Sequence, residues 1–420
     1  MMNSPSRSNG GRPKADFDLS HVFRSREQIR EELGVSPVSI EAIRDPAIYE
    51  VEREKIFKKH WLKVGTTSEL PTIGDYKTKE IPVVDASIIV VRGKDNRVRA
   101  FHNVCTHRGN KVVPTSASET RGHATRNVLT CRFHGWGFST NGSLQAVPKQ
   151  DYFGEIDTSC LGLREVACEI WEGFIFVNFD PSPKQSLAEY LGDFARLFSG
   201  YGYEAATTSF HYSSVLNCNW KVAVYAFSEG YHVPTIHAGT LPGFMGIEHT
   251  DFKLMGPHAS STIYGGKMDI MPATEAFASV LHASDAHGPH PETIPAYINP
   301  TGRDDYQFEF STIFPNFLLH LAAGCGYPGM AFFTHQFWPL SHDRTLWEGI
   351  NYFHPAQNAA EAVAQLHTNA LHRNAWLEDT ATMEDTFVGL KSGAIDAIQL
   401  MDEEFLIRHA AATLENYLNG

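Results

Sequence analysis

The chain has 420 residues, of which 42% are hydrophobic and 20% charged, a composition that is ordinary for a globular protein of two domains. Its formal net charge of −13 argues against nucleic acid as the main partner, because phosphate binding needs a basic surface. No apolar run approaches the roughly 20 residues needed to cross a bilayer, so no membrane span is expected.

The N-terminal part contains a polar stretch followed by helical patterns. Residues 1–20 are rich in Ser, Asn, Gly and Pro and lack the apolar segment of a signal peptide, so a disordered tail is predicted. Residues 21–63 carry helical spacing with mixed charges and are predicted to pack on the C-terminal domain. Of the six cysteines, the four other than Cys105 and Cys131 show no framework-like spacing, which favours a reducing, cytoplasmic location.

Residues 64–180 are predicted to form a small all-β domain. Short β-branched and aromatic runs such as ASIIVVRG and GFIFVNF alternate there with turn signals. Two ligand pairs lie in the predicted loops: Cys105 with His107, and Cys131 with His134. Each pair can give one ligand to each of two irons, as in a Rieske [2Fe–2S] cluster, where two imidazoles replace two thiolates. A structural zinc ion is the alternative.

Residues 181–420 are predicted to form a second domain. The boundary is marked by Asp180-Pro-Ser-Pro, and a helical stretch, several strand-like runs and two further helical stretches follow. A sheet with helices packed on one side is expected, which makes the chain α+β. The polar, Pro-rich residues 281–305 are predicted to form a long loop that covers a pocket.

A second ligand pattern consists of Glu229, His232 and His237. Glu229 and His232 are three residues apart and would share one face of a helix that starts near Val222. Pro234 is expected to end that helix and to let His237 turn back toward His232. Two histidines with one carboxylate suit a mononuclear Fe(II) site that has open positions for O₂.

The carboxylate is predicted from the periodicity of the C-terminal helical stretch. Its apolar stripe contains Trp376, Met383, Phe387 and Leu390. At about 100° per residue Asp379 falls in the middle of that stripe, whereas Glu378 and Asp385 point away from it. A buried carboxylate needs a cation, so Asp379 is the predicted ligand. An ion pair with Arg373 or Lys391 is the alternative.

At these residues the chain resembles the catalytic α subunit of the Rieske non-haem iron (aromatic ring-hydroxylating) oxygenases. The matching motifs are NVCTHRG, CRFHGWGF, NWK, EGYHVPTIH and EDTATMED, which stand in the family's order from about residue 45 onward. The resemblance implies a Rieske domain followed by a catalytic domain of the SRPBCC (helix-grip) type. It implies that the [2Fe–2S] cluster is bound by Cys105, His107, Cys131 and His134, and the catalytic Fe(II) by His232, His237 and Asp379.

The resemblance also implies an assembly of subunits. In the family a carboxylate three residues before the first iron histidine bridges to a cluster histidine of the neighbouring chain. Glu229 holds that place and would face the partner subunit's His134. A homotrimer (α3), or an α3β3 assembly with a small subunit, is therefore expected.

Three features depart from the family pattern. The bridging position usually holds Asp, and Glu229 is one methylene longer. Tyr225 stands where Asn is common. The gap between His107 and Cys131 is longer than usual, and the extra stretch SASETRGHATR is predicted to bulge at the surface.

The function implied by the resemblance is that of a terminal oxygenase. Electrons from NAD(P)H would arrive through a flavin reductase or ferredoxin, and O₂ would hydroxylate or demethylate an aromatic or alicyclic small molecule. Three alternatives remain: a quaternary ammonium substrate held by aromatic faces, a Rieske electron carrier, and a zinc-stabilised binding protein. Candidate pocket residues are Tyr225, Phe227, 314–317 and 332–335.

The loop region around the cluster ligands is locally basic. Between Cys105 and His134 five Lys or Arg residues stand against a single acidic residue, Glu119. This excess is either an ordinary solvated surface or a field that steers an acidic electron-donor protein to the cluster.

Overall fold

The computed structural model describes residues 18–115, 119–241, 249–264, 306–322 and 330–420. Most of the predicted tail and the whole predicted loop 281–305 lie outside the described residues. The predicted α+β fold class is confirmed: the described strands form antiparallel sheets, and helices pack against them.

The helices lie in the N-terminal segment and in the second half of the chain. They are α1 (Arg26–Leu33), α2 (Glu41–Arg44), α3 (Pro46–Glu52, followed by a π-helical turn over Arg53–Phe57), α4 (Leu187–Leu191), α5 (Asp193–Phe198), α6 (Trp220–Ala226), α7 (Val233–Ile236), α8 (Ala359–Lys391) and α9 (Phe405–Asn419). Among these described helices, none combines the length and the apolarity that a bilayer crossing would need.

The strands run through both halves. They are β1 (Phe23–Arg24), β2 (Val38–Ser39), β3 (Leu62–Thr66), β4 (Asp75–Ile81), β5 (Ala86–Arg92), β6 (Val98–His102), β7 (Glu119–His123), β8 (Val128–Thr130), β9 (Gly137–Ser139), β10 (Leu144–Ala146), β11 (Glu165–Trp171), β12 (Phe174–Asn178), β13 (Thr208–Leu216), β14 (His249–Met255), β15 (His258–Tyr264), β16 (Tyr306–Ile313), β17 (Phe317–Ala322), β18 (Met330–Ser341), β19 (Arg344–Phe353) and β20 (Ala397–Ile398).

The first half forms a sheet with the strand order β3-β12-β11-β6-β5-β4-β7 and a small sheet with the order β10-β9-β8. The expected surface bulge is wrong for residues 119–123, which form β7 and pair antiparallel with β4. The free edge of β4 explains this, because an extra segment that lies beside an open edge gains ladder hydrogen bonds. Arg121 of β7 also reaches Glu69, which ties the edge strand to the body of the domain.

The second half, together with β1 of the N-terminal segment, forms a sheet with the strand order β1-β14-β15-β16-β17-β18-β19-β13. One face packs against α6 and α8, as expected. The opposite face is covered as well, because Leu319 and Phe332 share a core with Phe194 of α5 and Phe174 of β12. Strands β17 and β18 carry apolar residues at consecutive positions, FLL and AFF, and such runs are typical of strands buried on both faces.

Helix α3 of the N-terminal segment is tied to the second half of the chain through a buried acid. Glu52 at the end of α3 accepts hydrogen bonds from the indole of Trp220 and the ammonium group of Lys221, both in α6. Glu52 and Lys221 are both almost fully buried. The helix that leads to the second ligand set therefore has a fixed start.

Candidate metal centres

The four predicted cluster ligands lie in two loops of equivalent construction. In the first loop Gly109 N–H donates to Cys105 O at 2.9 Å, and in the second Gly135 N–H donates to Cys131 O at 2.9 Å. Both glycines have a left-handed backbone, with φ of 75° and 76°, which a residue without Cβ adopts at little cost. The two turns bring the Cys105 and Cys131 thiols close enough to shift each other's pKa.

The two histidines of the loops lie next to each other. The ring centroids of His107 and His134 are 4.6 Å apart, and His107 stacks on Trp136 at 4.8 Å. His107 Nδ1 is buried without a hydrogen-bond partner. A buried nitrogen without a partner, in a loop that also carries a thiol, fits a ligand of a metal or cluster, because buried polar atoms are otherwise nearly always bonded.

Backbone N–H groups surround both sulfur atoms. Burial raises the pKa of the Cys105 thiol, although the N–H groups of His107 and Arg108 donate to it. Burial acts in the same direction on Cys131, but donors that include the N–H of Phe133 bring the pKa of this thiol below its usual value. Such donors stabilise thiolate charge and tune the potential of a bound cluster.

The second ligand set lies where the chain leaves α6. Helix α6 begins at the Asn219 cap and ends at Ala226, so the expected continuous helix through Glu229 and His232 is wrong. Pro234 is also misplaced by the prediction, because it lies in the first turn of α7 and starts that helix. Proline is favoured there, since its missing N–H would have no partner. His232 caps the start of this single turn and His237 caps its end.

The structure brings His232, His237 and Asp379 to one point. Asp379 Oδ1 lies 3.3 Å from His232 Nε2 and 3.0 Å from His237 Nε2. One ligand atom from each residue lies within 4.8 Å of the others. Asp379 is 5% exposed and no described Lys or Arg pairs with it, so the alternative ion pair with Arg373 or Lys391 is wrong.

The charges at this point are mutually stabilised. Burial would raise the pKa of Asp379, but the two imidazoles lower it. Burial alone would lower the pKa of His232. The carboxylates of Asp379 and Glu229 have a larger opposite effect and raise this pKa to about 10. A buried carboxylate that attracts protons onto two imidazoles is also a site where a divalent cation can replace those protons. These residues therefore fit Fe(II) with free positions.

Each of the two imidazoles has a second carboxylate on its other nitrogen. Glu229 Oε1 is hydrogen-bonded to His232 Nδ1, and Glu378 Oε2 lies 2.8 Å from His237 Nδ1. Thr240 donates its hydroxyl proton to the other oxygen of Glu378. Carboxylates in this position fix the orientation and tautomer of a metal-binding histidine.

The periodicity places Glu378 away from the apolar stripe and does not predict it as a site residue; its side chain is 34% exposed, yet it contacts His237. The periodicity argument considered only the apolar stripe of the helix and missed α7, whose end lies beside α8. The one signal in the sequence is the position of this acid directly before Asp379.

Glu229 makes only local hydrogen bonds among the described residues of this chain. Besides His232 Nδ1, it accepts hydrogen bonds from the N–H groups of Tyr231 and His232. None of these contacts reaches His107 or His134, and His134 is exposed. The side chain is thus held near the iron ligands, with the cluster ligands of the same chain elsewhere.

The candidate pocket residues separate onto two faces of the second sheet. Phe227 stacks on His335 at 4.1 Å, on the face that packs against α8. Phe317 and Phe332 lie on the opposite face, in the core with Phe174. Tyr225 is partly buried, and burial raises the pKa of its hydroxyl above the usual range.

Two protein-family models match the chain. The model described as ring hydroxylating alpha subunit (catalytic domain) matches residues 201–420, and the Rieske [2Fe-2S] domain model matches residues 60–161. The matched regions contain both ligand sets.

Curated relatives match part of the chain. The α subunit of 2-aminobenzenesulfonate 2,3-dioxygenase from Alcaligenes sp is 40% identical over 181 residues, 42% of this chain and 44% of the relative. The large oxygenase component of naphthalene 1,2-dioxygenase from Pseudomonas aeruginosa is 36% identical over 212 residues, 47% of this chain and 43% of the relative. The carnitine monooxygenase oxygenase subunit of Escherichia coli (strain K12) is 30% identical over 223 residues, 53% and 56% of the two chains. The matches thus span about half the length of these relatives.

Solved structures share the fold over nearly the whole chain. A quaternary ammonium Rieske monooxygenase in complex with L-carnitine superposes with a TM-score of 0.72 at 21% identity, over 92% of this chain and 97% of that one. Naphthalene 1,2-dioxygenase from Rhodococcus sp. bound to indole superposes with a TM-score of 0.73 at 19% identity, over 94% and 98%. At such identities the likeness concerns the fold alone.

Proposed function

Because this chain belongs to the ring-hydroxylating alpha subunit family and carries a Rieske [2Fe-2S] domain ahead of the catalytic domain, we propose that it is the terminal oxygenase of a Rieske non-haem iron system. Its substrate would be an aromatic or alicyclic small molecule. The observation that carries the proposal is the convergence of His232, His237 and Asp379. One ligand atom from each of these residues lies within 4.8 Å of the others, and the carboxylate of Asp379 is buried.

The two iron groups would be held by different parts of the chain. Their family chemistry is one-electron transfer at the cluster and dioxygen chemistry at the mononuclear iron. The cluster would be bound by the side chains of Cys105, His107, Cys131 and His134, and the mononuclear iron by those of His232, His237 and Asp379.

The surrounding residues would keep the ligands in a binding geometry. Glu229 and Glu378 accept from the Nδ1 atoms, which leaves each Nε2 lone pair directed at the point that Asp379 Oδ1 faces. Burial of Asp379 and His237 limits water at that point. The protein thus supplies orientation and water exclusion.

Glu229 would also connect two subunits. Since its hydrogen bonds within one chain are local and His134 is exposed, we propose that Glu229 accepts a hydrogen bond from the partner subunit's His134 in an α3 or α3β3 assembly. Electrons from NAD(P)H would reach the cluster through a flavin reductase or a ferredoxin.

The donor would dock beside the cluster loops. In the part of the chain that the structure describes, the exposed Arg126 and Arg132 have no ion-pair partner, whereas Lys111 pairs with Glu80 and Arg121 with Glu69. The remaining positive charge suits an acidic partner.

A monooxygenase acting on a quaternary ammonium compound is the second candidate. It is favoured by the 30% identity over 223 residues to the carnitine monooxygenase oxygenase subunit. Aromatic side chains on the α8 face of the sheet, such as Phe227 and Trp376, would supply faces for a trimethylammonium group.

Asp379→Ala tests the oxygenase proposal against its rivals. The oxygenase should lose its mononuclear iron and substrate-dependent O₂ uptake, while the visible absorption of the cluster and the acid-labile sulfide remain. Asp385→Asn, an exposed change on the same helix, is the control and should retain both. An electron carrier would lose neither property, and a zinc protein would be colourless.

A further inference from the structure

A cluster of buried histidines lies beside the proposed iron site. His320 of β17 and His335 of β18 are 1% and 0% exposed, and they lie on the face of the sheet that packs against α8. The ring of His335 is 4.8 Å from that of Trp376, which lies one helical turn before Asp379. His335 also stacks on Phe227, two residues before Glu229. Both segments that carry iron ligands therefore touch this ring.

The tautomer of His335 follows from its neighbour. Trp347 Nε1–H donates to His335 Nδ1 at 3.1 Å. An indole nitrogen is a donor only, so Nδ1 of His335 must accept and is unprotonated. Burial lowers the pKa of His335 well below its usual value, so the ring is neutral. Its proton is then on Nε2, and this buried N–H has no hydrogen-bond partner.

His320 is in the same condition. Both of its ring nitrogens are buried without a partner, and burial lowers its pKa to about 3. Its ring lies 5.4 Å from that of His335 and stacks on Phe333 at 5.1 Å. Two neighbouring neutral imidazoles thus leave hydrogen-bonding atoms unused inside an aromatic surrounding.

In the second sheet, these two neighbouring rings contrast with another buried histidine that has partners on both nitrogens. His258 of β15 is equally buried in the same sheet, yet its Nε2 lies 2.9 Å from Tyr190 O and its Nδ1 accepts from Phe314 N at 3.2 Å. A buried donor without an acceptor destabilises a folded protein, so its presence calls for a ligand that supplies the acceptor.

We propose that His335 Nε2–H, with His320 beside it, donates a hydrogen bond to an oxygen atom of the substrate, which is therefore an aromatic compound with an oxygen-bearing substituent. The assignment rests on the proposed oxygenase function. Rings of Phe308, Phe310 and Phe333 surround His320 and suit an aromatic nucleus. A hydroxyl, carboxylate or sulfonate oxygen would accept the hydrogen bond, whereas a trimethylammonium group has no acceptor atom.

Binding of single-ring probes to the iron-loaded protein, without electron donor, tests this assignment. Calorimetry with toluene, phenol, benzoate and benzenesulfonate compares one ring with and without the oxygen. The wild-type protein should bind at least one oxygenated probe about tenfold or more tightly than toluene. Comparison of phenol with the two anions then tells a neutral acceptor from a charged one.

Two variants at one position separate hydrogen bonding from shape. His335→Phe keeps a ring against Phe227 but removes the donor, so the preference for oxygenated probes should fall about tenfold while toluene binding stays within about threefold. His335→Gln retains an N–H near the place of Nε2 and should keep most of the preference. The melting temperature of ligand-free His335→Phe should stay close to that of the wild type, because the unpaired Nε2–H is removed while Trp347 Nε1–H loses its acceptor.

Any of three results overturns the assignment: His335→Phe loses the same affinity for all probes, it keeps the wild-type preference for oxygenated probes over toluene, or the wild-type protein binds none of the probes. The Asp379→Ala variant tests the oxygenase proposal separately, because it leaves His320 and His335 in place. If Asp379→Ala abolishes turnover while His335→Phe leaves the preference intact, only the histidine assignment falls. If Asp379→Ala does not impair turnover, the oxygenase mechanism falls whatever the probes show.

Discussion

Glu378 and Asp379, neighbours in α8, contact opposite nitrogens of the same imidazole. His237 Nδ1 lies 2.8 Å from Glu378 Oε2, and His237 Nε2 lies 3.0 Å from Asp379 Oδ1. The side chains of successive helical residues point in directions about 100° apart. Glu378 and Asp379, which lie in one turn of α8, can therefore reach the two opposite nitrogens of the His237 ring. The result is that the orientation of His237 depends directly on the position of α8.

Glu378→Ala should therefore weaken metal binding, although Glu378 is not itself one of the proposed metal ligands. Removal of a carboxylate that orients a metal-binding histidine typically costs about 10- to 100-fold in affinity or activity. We expect a matching fall in mononuclear iron content and O₂ uptake, with unchanged cluster absorption.

Thr240→Val is the matched control for Glu378→Ala. It removes only the hydroxyl that donates to Glu378, so its effect should be clearly smaller. Full iron content in Glu378→Ala would contradict the orienting role.

Glu229→Gln should separate cluster reduction from turnover. The carboxamide retains the size of Glu229 but has no negative charge to hold the His232 imidazole and, in the assembly we propose, the partner subunit's His134. We expect chemical reduction of the cluster to proceed normally, while its reoxidation in the presence of O₂ and substrate, followed by stopped-flow absorbance, slows at least about tenfold.

The control for Glu229→Gln is Glu384→Gln. Glu384 is a carboxylate of α8 that accepts from the Asn217 N–H at 2.8 Å and has no contact with the iron ligands among the described residues. Equal reoxidation rates in the two variants would contradict the relay.

The convergence of His232, His237 and Asp379 agrees with the sequence prediction, but the residues that orient them could not be predicted. Asp379 was found because one helix face has a fixed period, and the two loops because Cys and His recur at short spacing. The backbone conformation between Phe227 and His237 could not be predicted, because Pro234 is compatible with either the end or the start of a helix. Glu378 and the His335 tautomer depend on neighbours from other elements, Thr240 and Trp347, which local periodicity does not contain.

Charge reversal near the cluster should slow electron delivery. The exposed Arg126 and Arg132 have no ion-pair partner among the described residues, so Arg126→Glu with Arg132→Glu removes attraction for an acidic donor. We expect a lower association rate and a weaker dependence on ionic strength, because steering acts mainly on the association rate. Stopped-flow reduction by the donor at several salt concentrations measures both.

Arg97→Glu is the control for charge reversal. Arg97 is exposed in the turn between β5 and β6, whereas the first cluster loop follows the other end of β6. An equal effect of Arg97→Glu would show that only net charge matters.

Glu69 should make the stability of the N-terminal sheet depend on pH. Its carboxylate accepts from Lys77 Nζ at 2.9 Å and from Arg121 of β7. Burial alone would raise the pKa of Glu69, but the two cations lower it from 4.5 to about 2. A depressed folded pKa stabilises the protein above the unfolded value near 4.5, and the contribution is lost as the pH falls toward 2.

Glu69→Gln should thus reduce the free energy of unfolding at pH 7 by on the order of 3 kcal/mol. The difference from the wild type should shrink as the pH is lowered below about 4.5, in urea unfolding followed by circular dichroism at each pH. Asp95→Asn removes an exposed ion pair with Arg99 and should change little at pH 7, because such pairs contribute weakly. A Glu69→Gln difference that stays constant with pH would mean that the carboxylate acts through packing against β3 and not through its charge.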